Sequence, residues 1–378
     1  MRTLAILTNG GDTCSLNAVI KSIRDNAIAA GYPRILGFED GYLGIKNRCV
    51  KLLTWEHIDP ERGGTILRSH RYAPRSDDEK SVVFKTLGEL EVNVLVAIGG
   101  DGSLSATKDL YQWRDANSYG VGILGFPRTI DNDIRTNTFE GNTEVALCPG
   151  YPSAALKIAR LAKDLRTTAM STRRIFTIET MGRDAGWLAA AAILGGAELV
   201  LIPEVELTSD DWERFYERVV KLYRIHGHLI IAVSEGFKFE GAQQKDGEFG
   251  PRKLGGAGVR VAKAVEEGIQ KRGLSVEVRC QHGDYIPRMG SPSAYDIKFA
   301  SALGQEIRAM LEDGRDGELP VPIRVPSITQ IQASVSRIPL DRIGHLRFPA
   351  KDFYDAKEFC ATDSFIDFLI KFVDPAAV

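Results

Sequence analysis

Two glycine-rich acidic turns and one pair of aspartates carry the chemistry this sequence offers. Gly99-Gly100-Asp101-Gly102-Ser103 follows the apolar run Val92–Ile98 and precedes a helical pattern. Glycine there lets backbone approach phosphate oxygens without interference from Cβ, and the helix that follows presents free N–H groups and its positive dipole end. Asp101 is then placed to hold Mg²⁺. The same composition also suits a plain strand-to-helix turn with an Asp or Ser cap. Gly10-Gly11-Asp12 repeats the arrangement after Leu4–Leu7, and two such turns after separate strands favour a polyphosphate site. Neither turn ends in Gly-Lys-Ser/Thr, so this is no Walker A loop. Neither continues into G-x-G-x-x-G, which argues against a dehydrogenase.

Thr129-Ile130-Asp131-Asn132-Asp133 sets two carboxylates two residues apart. In an extended segment both project to the same side. Phosphoryl transfer to an alcohol needs a group to accept the hydroxyl proton, and an ionised Asp beside Mg²⁺ and arginines can do so. An Asx-rich turn with solvated charge is the competing reading. Arg71, Arg174, Arg183, Arg279 and Arg288 stand near these or later polar segments. Taken singly, a surface salt bridge is the commoner fate of each. Glu235, an acid at a strand end, is by itself more often solvated than catalytic.

Elements must bring these residues together. Leu4–Leu7, Val92–Ile98, Gly120–Phe126, Arg174–Glu179, Ala197–Ile202 and His228–Val233 read as buried strands. Helical patterns alternate with them at Ser15–Ala30, Ser103–Tyr111, Glu144–Arg166, Asp184–Leu194 and Asp210–Ile225, with another near Val259–Lys271. Such alternation gives parallel sheets with helices on both faces, whose ligands collect beyond the carboxyl ends of the strands. Five of those ends are polar and glycine-rich. Lys238–Lys253 reads as a mobile surface loop and a candidate lid. Glu312–Pro326, with three prolines, reads as a crossover between lobes, and Phe365–Phe372 as a short helix with an apolar face.

The 378 residues suit two lobes. The expected division is 1–150 plus about 287–337 for the donor-phosphate lobe, and 151–286 plus about 338–378 for the sugar-phosphate lobe. Aliphatic, aromatic and cysteine residues make up 44% and charged residues 26%, which fits a globular enzyme. With 48 basic against 50 acidic residues there is no global field to attract nucleic acid or an anionic membrane. Five scattered cysteines without CxxC spacing fit reduced thiols and argue against zinc. No apolar stretch approaches the length of a membrane span, so the expected location is cytoplasmic.

The ordered set GGD, GGDGS, TIDND, MGR and Arg-x-Gly-Ser-Pro resembles the phosphofructokinase family over about residues 1–303. The resemblance implies an α/β fold of two Rossmann-like lobes with mainly parallel sheets and an active-site cleft between them. It also implies a homo-oligomer, tetramer or dimer, and transfer of phosphoryl from ATP-Mg to the 1-hydroxyl of fructose 6-phosphate in glycolysis. Asp131 becomes the general base, supported by Thr129 and Asp133, and Asp101 the Mg²⁺ ligand. Gly11, Arg71, Tyr72, Gly100, Asp101, Gly102, Ser103 and Arg128 fall to the phosphoryl donor. Thr129, Asp131, Met181, Gly182, Arg183, Glu235, Tyr285 and Arg288 fall to the sugar phosphate, with Arg183 also steadying the transferring group. Arg174 and Arg279 match arginines that reach in from a neighbouring subunit.

Donor signals in the resemblance conflict. Gly102 matches ATP users, whereas pyrophosphate users carry Asp there, where its carboxylate intrudes on the nucleotide α-phosphate. Arg128 stands where pyrophosphate enzymes often carry Lys, and Arg68 replaces an expected small residue. Steric exclusion is harder to evade than an added charge, so ATP is expected. The alternatives are the pyrophosphate-dependent enzyme, a related ketose-phosphate kinase, and a catalytically silent regulatory homologue. Nicotinamide-dinucleotide or lipid kinases share a GGDG turn but lack the MGR motif and the late arginines.

Overall fold

The computed structural model describes residues 1–239, 256–327 and 329–378. The chain forms two compact units, residues 1–153 with 288–346 and residues 154–287 with 347–378.

In the first unit a seven-stranded sheet runs in the order Val335–Pro339, Glu318–Pro322, Gly122–Pro127, Val94–Gly99, Thr3–Thr8, Arg34–Phe38 and Val50–Leu52. The two outermost pairs are antiparallel and the rest parallel. Leu4, Ile6, Leu95, Val96, Ile98, Leu124 and Phe126 are fully buried. A strand covered on both faces reads as such a continuous apolar run. Strand order reverses between Thr3–Thr8 and Val94–Gly99, so the Gly10 and Gly100 turns flank a topological switch point, where α/β sheets open a crevice.

The second unit holds four parallel strands in the order Leu199–Leu201, Leu229–Ser234, Ile175–Thr180 and Val278–His282. Helices Ser209–His226 and Ala257–Gln270 pack Phe215, Val219, Val261 and Val265 into its core. The helix Asp363–Leu369 buries Phe365 and Phe368 around Trp187, with ring centroids 6.2 and 5.6 Å away. The apolar face expected near the chain's end is therefore core of this unit.

Two segments differ from expectation. Glu312–Pro326 is no crossover between units: it lies within the first and contains the strand Glu318–Pro322. Its prolines suggested a break, yet the parallel register with Gly122–Pro127 is limited to Glu318 and Leu124, so the missing N–H groups cost little pairing. The helix expected from Glu144 begins at Tyr151 and runs to Thr172. Pro149 and Gly150, the latter at φ +106°, break the chain before it, and Thr143–Val145 pairs instead with Thr138–Glu140. From residue 240 to 253, the expected lid lies outside the described residues.

Candidate active site

The first unit brings the two acidic turns and the aspartate pair to neighbouring strand ends. Gly10 sits at φ +94°, and a Cβ there would meet the Ser103 hydroxyl at 2.9 Å. A Cβ on Gly99 would lie 2.2 Å from that of Ser103. Glycine is therefore required at Gly10 by the close approach of one turn to the other, and at Gly99 by its own turn folding back on Ser103. The Asn9 and Ser103 side chains complete the contact with a hydrogen bond of 3.3 Å. Gly102 differs: it lies in the first turn of the helix Asp101–Ala116, and a Cβ there meets nothing within 4 Å.

Arg128 is buried against this loop. It donates to the carbonyls of Gly11 and, at 3.0 Å, Asn9. Burial, followed by repulsion from Arg288, brings its guanidinium down to about 9, while Asp12 and Asp131 oppose the drop. With two donors committed to carbonyls, Arg128 braces the Gly10-Gly11 turn. Arg288 belongs to the same unit and donates to the Asp12 carbonyl at 2.6 Å. It lies so close to Gly11 that a Cβ there would meet it at 2.6 Å.

Arg71 is exposed and follows His70, whose carbonyl accepts from the Gly10 N–H at 2.9 Å, so it flanks the same turn. The Tyr72 hydroxyl donates to Glu79 at 3.0 Å. Burial, with Glu79 adding to it, pushes that phenol up to about 12. Tyr72 thus supports the capping box of the helix Asp77–Glu89.

The aspartate pair is not extended. Asn132 takes φ +53°, the left-handed region Asn tolerates well, and its amide donates to Ala146 O at 2.6 Å. The Thr129 hydroxyl accepts from the Asp131 N–H at 3.0 Å and contacts Asp133 Oδ1 at 3.4 Å. The segment is thus an Asx-rich turn, and one that gathers charge. Burial, then the negative charges of Asp131 and Asp101, raises the Asp133 carboxyl to about 8. Three neighbouring acids, with Asp133 more buried than Asp101, are what a hard divalent cation relieves, and an all-oxygen donor set suits Mg²⁺. His345, which carried no motif in the sequence, stands beside them with Nδ1 3.7 Å from Asp133 and 3.9 Å from Asp101.

The second unit interlocks the MGR turn with Ser234-Glu235-Gly236. Gly182, at φ +131°, donates its N–H to Glu235 at 3.3 Å, and its carbonyl accepts from the Ser234 hydroxyl and the Gly236 N–H. A Cβ on Gly236 would lie 1.8 Å from the Arg183 carbonyl, so the two turns fit only with glycine there. Met181 is half-buried, while Arg183 and Tyr285 are exposed. Glu204, which sequence reading passed over, accepts from the N–H groups of Gly186 at 3.1 Å and Phe348 at 3.0 Å, tying the MGR segment to the chain's last portion. Arg174 and Arg279 meet on one carboxylate: Glu277 takes each guanidinium Nε at 2.5 Å. These charge-assisted bonds hold Glu277 below the usual carboxylate range, Arg279 contributing most.

Among the described residues Glu179, Cys280 and His282 also lie near enough to hold a metal. Glu179, however, spends both oxygens on the N–H groups of Gly256 and Gly258, at the start of the helix Ala257–Gln270. No helix among the described residues is long and apolar enough to cross a membrane.

The parallel sheets and phosphate-type turns define a doubly wound α/β protein of the class that handles phosphoryl groups. The sequence model described as Phosphofructokinase matches residues 3–311, and the chain belongs to that family. It is 32% identical to a pyrophosphate–fructose 6-phosphate 1-phosphotransferase of Dictyoglomus thermophilum, over 83% of this chain and 87% of that one. It is 33% identical to an ATP-dependent 6-phosphofructokinase of Natranaerobius thermophilus, over 84% and 89%. Among solved structures, the pyrophosphate-dependent phosphofructokinase of Marinobacter aquaeolei shares the fold with a TM-score of 0.82 at 23% identity, covering 99% of this chain and 92% of that one.

Proposed function

We propose that this chain transfers the γ-phosphoryl group of ATP-Mg to the 1-hydroxyl of fructose 6-phosphate, giving fructose 1,6-bisphosphate. The carrying observation is the Asp101, Asp131 and Asp133 group set beside two glycine turns at one topological switch point.

Asp131 accepts the proton of the attacking hydroxyl at its carboxylate. Its own N–H is fixed on the Thr129 hydroxyl, which also contacts Asp133, so the turn orients the base before substrate arrives. Asp101, with Asp133 near it, would hold Mg²⁺, which neutralises charge on the donor phosphates when bound. The Gly10-Gly11 turn, braced by Arg128, and the Gly99-Gly100 turn ahead of the helix Asp101–Ala116 are assigned to the donor phosphates, which glycine lets backbone approach closely. Arg71 and Arg183 are assigned to donor phosphate and transferring group, where fixed cations stabilise charge spread over the moving oxygens.

By their match to the family's motifs, Met181, Gly182, Arg183 and Glu235 hold the sugar ring, and Tyr285 and Arg288 its phosphate. Arg174 and Arg279, already paired on Glu277, are assigned to the sugar phosphate of a neighbouring subunit in a dimer or tetramer. Planar guanidinium forks match phosphate geometry. A soluble cytoplasmic enzyme of glycolysis is the setting this reading implies.

Gly102 favours ATP, because the open space around it is where an Asp would exclude a nucleotide. Pyrophosphate is the second reading, supported by relatives of both kinds and by the position of Arg128. The test is a coupled assay of purified protein with Mg²⁺ and fructose 6-phosphate, comparing the two donors. Turnover with ATP alone is expected. Turnover with pyrophosphate alone would reassign the donor, and turnover with neither would favour another ketose phosphate or a silent homologue.

A further inference from the structure

His345 lies beyond the residues matched by the family model, in a segment with no motif of its own. Its place is nonetheless fixed. Gly344 and His345 pair antiparallel with Arg135 and Ile134, and the Leu346 N–H donates to the Asp133 carbonyl at 2.7 Å. The backbone that carries the imidazole is therefore tied to the backbone that carries Asp133.

The imidazole Nδ1 stands 3.7 Å from Asp133 Oδ2 and 3.9 Å from Asp101 Oδ2. Both separations exceed a hydrogen bond. Both fall between the spacings of adjacent and opposite ligands around a shared ion, roughly 3 and 4.2 Å when metal–ligand distances are near 2.1 Å. The ring is 36% exposed, so an ion or a water can reach it. The two groups nearest the ring nitrogen are carboxylates, so small side-chain rotations toward a common ion would bring all three donors into range.

We propose that His345 is a ligand of the divalent cation held by Asp101 and Asp133, and that its nitrogen shifts the site's preference from Mg²⁺ toward Mn²⁺ or Co²⁺. This rests on the reading of Asp101 as the cation site. Oxygen donors alone suit Mg²⁺, whereas an imidazole raises affinity for first-row transition ions in the Irving–Williams order.

The test is Mn²⁺ binding to the full chain in the presence of inorganic pyrophosphate, which contains no nitrogen. Electron spin-echo modulation should show a ¹⁴N coupling that becomes ¹⁵N when the protein is grown with ¹⁵N-histidine. His345→Ala should lose the coupling, weaken Mn²⁺ about tenfold, narrow the Mn²⁺ over Mg²⁺ preference, and keep the wild-type melting temperature. Bound Mn²⁺ that depends on Asp101 but shows no histidine nitrogen overturns the inference and leaves the cation reading intact. Retention of the coupling in His345→Ala overturns it equally. Mn²⁺ affinity unchanged in Asp101→Asn would overturn the cation reading itself, and this inference with it.

Discussion

Replacing Gly102 by Asp should turn the protein against ATP while leaving it folded. Position 102 lies in the first turn of the helix Asp101–Ala116, and a new Cβ meets nothing within 4 Å. Asp is a slightly better helix residue than Gly, by a few tenths of a kcal/mol. A carboxylate near a helix N-terminus gains roughly 0.3–1 kcal/mol, from which repulsion by neighbouring Asp101 subtracts. Melting should therefore move by no more than about 2 °C.

The donor should feel the change far more. A carboxylate about 4 Å from the nucleotide α-phosphate costs about 1 kcal/mol if fully solvated and about 4 kcal/mol at an effective dielectric near 20. Position 102 is exposed, so the expected loss in kcat/KM for ATP spans about fivefold to a thousandfold. Pyrophosphate has no α-phosphate of that kind and should lose much less. Initial rates with each donor at saturating fructose 6-phosphate, with a thermal melt on the same sample, decide it. A folded Gly102→Asp protein with unchanged ATP kinetics, or with both donors lowered equally, would refute the steric reasoning.

Asp131→Ala should lower turnover by roughly two to four orders of magnitude with little change in sugar-phosphate affinity, since the proton acceptor acts only in the transition state; kcat and a binding isotherm read the two quantities separately. Glu204 should make stability pH-dependent. Burial raises its carboxyl from 4.5 to about 7, against the N–H groups of Gly186 and Phe348 that pull it down. The folded state then binds the proton more tightly, so its contribution is full below about pH 4.5 and is lost as pH rises to about 7, roughly 3 kcal/mol in all. Glu204→Gln keeps a carbonyl acceptor without the charge, so its melting temperature should gain on wild type between pH 5 and pH 8, as about the same free energy; parallel melting profiles would contradict this.

The central strands and their glycine turns were legible because burial on both faces leaves a continuous apolar run, and a strand end that packs against another turn admits only glycine. Val278–His282 was harder to see. It is an edge strand whose Arg279, Gln281 and His282 break any apolar run. The strand Glu318–Pro322 was hidden by its own prolines. At the site, residue types were readable but partners were not. Tyr72 was read from its place in a motif, and nothing in that motif shows that its hydroxyl bonds Glu79. Two aspartates spaced by one residue look like strand neighbours until Asn132 turns the chain at φ +53°. His345 and Glu277 could not be found by motif, because His345 reaches the acids through a two-residue pairing with Ile134–Arg135 and Glu277 meets Arg174 across neighbouring strands. Such register belongs to the folded chain and leaves no local pattern.

The most direct test of phosphoryl transfer to the sugar 1-hydroxyl is ³¹P NMR of purified protein incubated with Mg²⁺, fructose 6-phosphate and ATP. Growth of fructose 1,6-bisphosphate resonances in step with ADP is the predicted result. ATP hydrolysis without a bisphosphate product, or a bisphosphate that forms only when pyrophosphate replaces ATP, would contradict it.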